Sequence, residues 1–133
     1  MERLLERFTS RVPDPHGLAR RARVVLVRTA AGIPVEVTLG ALDFEERSVA
    51  RSTPWEVPDT APLRTCGAED LVVHKVFAGR DRDWSDVAGV ITRQGGRLDV
   101  DLIVTEVTPL LRAKGAMANL ERLRQLLDDA AGP

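Results

Sequence analysis

The chain has 133 residues, 44% of them hydrophobic and 29% charged, with a formal net charge of −1. That suffices for one domain with its own core, and the near-neutral balance excludes a global pull toward nucleic acid or anionic membrane. Cys66 is the single cysteine and His16 and His74 are far apart, which excludes an internal disulfide and argues against structural zinc. No apolar run reaches membrane-spanning length and the start carries no signal-peptide apolar stretch, so a reducing cytoplasm is the expected location.

Residues 2–8 read as a short helix with Leu4, Leu5 and Phe8 on one side. Pro13, Pro15 and Gly17 then break it. The run Val24-Val25-Leu26-Val27, a turn over 29–32, and an alternating stretch with Ile33, Val35, Val37 and Leu39 on one face predict an antiparallel hairpin. Residues 42–51 predict a helix, with Asp43, Glu45 and Glu46 where the helix dipole favours acids. Pro54, Pro58 and Pro62 punctuate an extended segment that leaves room for short edge strands at 55–57 and 63–66.

After it the pattern is helical throughout. Helices are expected over 68–78, 83–94, 99–113 and 116–129, with Gly95-Gly96 and Gly115 as stops. Val100, Ile103, Val104, Val107, Leu110 and Leu111 form the apolar stripe of the third of these. The fold class is α+β: residues 1–66 hold the strands and residues 67–130 are helical, in one domain.

Residues 68–78 are apolar almost all round the helix, with His74 and Lys75 as one narrow polar stripe. Burying an unpaired ammonium is costly, so Lys75 must either snorkel to water or face a polar cleft. His74 reads as a neutral histidine at the edge of the core. Asp83 sits where an N-cap belongs and Asp86 lies three positions on, so both can point to one side of the helix start, opposite Trp84, Val87, Val90 and Ile91. On pattern alone the favoured reading is structural, with Asp83 as cap and Asp86 complementing the helix dipole, ahead of a functional role. Arg80 and Arg82 in the connecting turn can clamp a phosphate or pair with neighbouring acids. Glu36 lies on the polar face of the hairpin, solvated or available as a metal or general-base carboxylate. Asp99-Val100-Asp101 looks like a metal-holding pair but opens an amphipathic helix, so capping is the reading adopted. No Gly-rich phosphate loop is present, and Arg20, Arg21 and Arg23 form a small basic cluster near a strand start.

Three runs, 33–40, 68–80 and 82–87, follow one another in an order that resembles the later motifs of AbiEii-type nucleotidyltransferases. That family belongs to the DNA-polymerase-β-like superfamily, and many of its members are toxins of type IV toxin–antitoxin systems. The similarity covers residues 20–127, and its most specific part is Glu69-Asp70-Leu71-Val72 followed by Lys75, Phe77-Ala78, an Arg-Asp pair and a further Asp. The resemblance implies transfer of a nucleoside monophosphate from a nucleoside triphosphate to an acceptor such as tRNA, with Mg2+ as cofactor and an antitoxin as a further partner, and no membrane. It places Glu36 at the third metal-binding carboxylate, where the family more often has Asp. It places Lys75 at the lysine that contacts the triphosphate or stabilises charge on it, and Asp83 and Asp86 in the last acidic motif; Arg80 and Arg82 are the cofactor-binding candidates from the turn itself. The family's opening Gly-Ser turn and Asp-x-Asp pair have no counterpart before Glu36, so the domain is expected to be N-terminally incomplete and inactive by itself. The alternative is a noncatalytic module that binds nucleotide, RNA or protein.

Overall fold

The structure, a computed structural model, describes residues 1–131. Its chain is mixed α+β, with small antiparallel sheets followed by a helical half, and it divides into two compact units, Met1–Glu46 and Arg47–Pro133.

The first unit is built on a three-stranded antiparallel sheet in the order β1 (Thr9–Ser10), β2 (Val24–Arg28), β3 (Pro34–Thr38). The expected hairpin is β2–β3, with Val25 opposite Val37 and Val27 opposite Val35. That register puts Val25, Val27, Val35 and Val37 on one face. Val25 and Val27 are wholly buried and pack with Ala19, Leu5, Phe8, Val35, Val37 and Leu39. Helix α1 (Glu2–Arg7) precedes β1.

Helix α2 (Pro15–Ala22) stands where the sequence reading expected only a break. Proline and glycine act there as start signals. Asp14 accepts from the Gly17 backbone N–H at 2.7 Å, Pro15 fills the first helical position, and a Cβ on Gly17 would collide with the Asp14 carboxylate.

The second unit begins within α3 (Asp43–Arg51), which straddles the division. The exposed strands β4 (Thr53–Trp55) and β5 (Leu63–Thr65) pair with each other, Trp55 opposite Leu63. Four helices follow: α4 (Ala68–Ala78), α5 (Asp81–Gln94), α6 (Val100–Lys114) and α7 (Ala118–Ala131). Their core is Val72, Val73 and Val76 of α4, Trp84, Val87, Val90 and Ile91 of α5, Ile103, Val107 and Leu111 of α6, and Leu120 and Leu123 of α7. Asp99 caps α6 by accepting from Leu102 N at 2.9 Å, the role expected of it. Among the described residues no helix is long and apolar enough to cross a membrane.

Candidate functional site

The corner between α4 and α5 is fixed by how α4 ends. Its last four carbonyls all have donors. Gly79 N–H bonds Lys75 O at 2.9 Å, the Asn119 side-chain amide bonds Val76 O at 2.9 Å, and the Lys114 ammonium reaches Phe77 O at 2.5 Å and Ala78 O at 3.2 Å. The ammonium also lies 4.9 Å from the centre of the Phe77 ring. Gly79 turns the chain at φ +70°, and a Cβ there would meet the Asn119 side-chain nitrogen at 2.5 Å. The sequence placed a turn here but held no sign that α6 and α7 would supply its fastenings.

Helix α5 starts two residues earlier than the sequence suggested. Arg80, in extended conformation, is its N-cap residue and Asp83 is the third helical position, so the expectation that Asp83 would be the cap is corrected. A guanidinium cannot accept a hydrogen bond, and Asp83 reaches back to do the capping instead. Its Oδ2 accepts from the Arg80 backbone N–H at 3.2 Å and from Arg80 Nε at 2.6 Å. Its Oδ1 accepts from Arg80 Nη2 at 3.2 Å and from Lys75 Nζ at 3.3 Å. The Asp83 side chain is completely enclosed. Arg80 beside it, seconded by the Arg80 backbone N–H and Lys75, holds the Asp83 carboxyl down at about 2.

Lys75 takes neither of its two extreme options. It is 28% exposed and bridges Asp83 and Asp86, reaching Asp86 Oδ2 at 2.6 Å. The Asp86 carboxylate raises the Lys75 ammonium above the usual lysine range, and Asp83 adds to it. Arg80, 58% exposed, is raised in the same way by Asp83. Arg82 is exposed and has no ion-pair partner among the described residues. Four of the residues singled out in the sequence, Lys75, Arg80, Asp83 and Asp86, therefore meet in one cluster. Glu36 belongs to the first unit, where it is 69% exposed and lies 3.5 Å from Arg11 across the sheet face.

The Mg2+ that the AbiEii resemblance implies does not fit these residues. All four short contacts of the Asp83 carboxylate are with cationic or N–H donors, which leaves no lone pair directed at a metal. Asp86 is neutralised by the same lysine. Among the described residues no group of three or more His, Cys, Asp or Glu side chains is placed to hold a metal ion.

A second charge cluster escaped the sequence reading. Asp70 and Glu106 are buried, with side chains 3% and 6% exposed. Arg51 forks between them, at 2.6 Å to Asp70 and 2.9 Å to Glu106, and Arg47 adds a bond to Glu106 at 2.6 Å. Arg47 holds the Glu106 carboxyl below its ordinary range, with Arg51 contributing. The signal was present: Glu106 falls in the stripe of Ile103 and Val107, where helical spacing demands an apolar residue. A charge on a buried stripe has to find a partner, and the sequence alone does not name it.

No family model matches the chain, and no curated protein matches it.

Proposed function

We propose that this chain is a nucleotidyltransferase-like domain of the AbiEii kind that binds the phosphates of a nucleoside triphosphate at the α4–α5 corner and does not turn the nucleotide over by itself. The observation that carries this reading is the anchoring of two cations, Lys75 and Arg80, on one enclosed carboxylate, Asp83. Such anchoring fixes the cations in place while leaving both partly exposed, with N–H groups to spare. Arg82, two residues after Arg80, adds a cation whose five N–H groups are uncommitted among the described residues. Preordered cations bind a polyphosphate at lower entropic cost than mobile surface side chains do.

The saturated Asp83 carboxylate supports the noncatalytic form of the reading. Two-metal phosphoryl transfer needs converging carboxylates with free lone pairs, and here the acids serve the cations instead. An RNA acceptor such as tRNA and an antitoxin remain the macromolecular partners that this assignment carries with it.

Calorimetric titration with each nucleoside triphosphate, with and without Mg2+, followed by radiolabel transfer onto bulk RNA, tests the proposal. The expected result is binding that is insensitive to Mg2+, weakened about tenfold or more in Lys75→Gln, with no transfer of label. Transfer of label by the purified chain, abolished in Asp86→Ala, overturns the noncatalytic reading. Absence of nucleotide binding under every condition overturns the phosphate site itself.

A further inference from the structure

The two aspartates that share Lys75 are not equivalent. Asp83 is enclosed and held by four contacts, three of them from Arg80. It cannot leave without stranding charge in the interior. Asp86, one helical turn further along α5, is 53% exposed, and its one ion-pair partner among the described residues is the Lys75 ammonium. Yet this is the shorter contact, at 2.6 Å against 3.3 Å to Asp83. In the free protein the accessible position beside Lys75 is thus filled by a carboxylate of the chain itself. Exposed pairs of this kind open at little cost, and a phosphate oxygen makes the same charge-assisted hydrogen bond.

We infer that Asp86 is an exchangeable internal anion: it occupies Lys75 in the free protein and is displaced when a polyphosphate binds, while Asp83 stays in place as a positioning residue for both cations. This rests on the phosphate site proposed above and adds how that site is regulated. The exchange conserves charge pairing, since Lys75 trades one oxyanion for another and the released Asp86 carboxylate returns to water.

The two acids then have opposite effects on affinity. Removing the charge of Asp86 takes away a competitor, whereas removing that of Asp83 loosens Lys75 and Arg80. Inorganic triphosphate without Mg2+ is the probe, titrated calorimetrically into the wild-type chain and into Asp86→Asn, Asp86→Ala, Asp83→Asn, Lys75→Gln and the double variant Asp86→Asn/Lys75→Gln, each checked for cooperative thermal unfolding. The expected gain in both Asp86 variants is about two- to fivefold, the range an exposed ion pair spans. Asp83→Asn is expected to bind more weakly than wild type. The gain should vanish in the double variant, which then binds no more tightly than Lys75→Gln, because the competition runs through that ammonium. If the wild type binds triphosphate and the Asp86 variants bind it equally or less well, the exchange is overturned and the phosphate site stands. A gain that persists in the absence of Lys75 overturns it as well, and no binding by any variant overturns both.

Discussion

The second unit contains two clusters built from the same ingredients, arginine or lysine against buried carboxylate, and they differ in how far their acids are enclosed. In the Arg47–Arg51–Asp70–Glu106 cluster two acids are enclosed and the cations come from α3, so the pairing ties α3 to α4 and α6. At the α4–α5 corner one acid, Asp83, is enclosed while the second, Asp86, is exposed, and the cations are partly exposed in both clusters. The first arrangement spends its donors on internal acceptors and serves the fold. The second also commits Lys75 to an exposed acid, a partner that a competing anion can replace. Both clusters set a buried acid against partly exposed cations, and they are told apart by whether every acid is enclosed.

The sharpest way to break the comparison is Arg51→Leu. It strands Asp70, whose side chain is 3% exposed and whose carboxylate is held by Arg51. A loss of about 3 kcal/mol is expected in urea unfolding, since removing one partner of a buried pair leaves an uncompensated charge. Triphosphate affinity of the folded variant should be unchanged.

Lys75→Gln is the converse. It should weaken triphosphate binding by about tenfold or more, the worth of a charge-assisted hydrogen bond, and shift the thermal midpoint far less than Arg51→Leu does.

A pH series sharpens the role of Asp83. Its carboxyl is lowered from the ordinary 3.8 to about 2, so the unfolded chain binds the proton more readily than the folded one. The resulting stability is fully present above the ordinary value and is lost as the pH falls toward the depressed one. Asp83→Asn should therefore be less stable than wild type at neutral pH and show a shallower loss between the two values, followed by circular dichroism. Glu106, also depressed, contributes to the same acid limb in both proteins.

The smallest effect expected is at Arg82, which has no ion pair to lose among the described residues. Arg82→Ala should leave the midpoint unchanged and reduce triphosphate affinity by about twofold, the scale of one exposed cation. Calorimetry and thermal melting on one preparation separate the two.

Much of this was legible in the chain. Alternation over Val35 and Val37 and the valine run at 24–27 predicted the β2–β3 hairpin, because one buried face selects a single register. The four C-terminal helices followed from 3.6-residue periodicity and glycine stops. The candidate cluster was also visible, since Lys75 interrupts an apolar helix and Asp83 and Asp86 share one side of the next. The helix over Pro15–Ala22 was missed because the same proline and glycine that end one element can begin another, and the Asp14 cap decides which.

Local sequence determined the elements, their order and the position of each charged side chain along its helix, since these depend on periodicity and on neighbours three or four residues away. Which charges would meet depended on packing between segments far apart in the chain. Arg51 reaches Glu106 across 55 positions, and Lys114 closes the end of α4 from 36 and 37 positions away. Only the tertiary structure, by enclosing Asp83 and leaving Asp86 in water, made one aspartate an anchor and its neighbour replaceable.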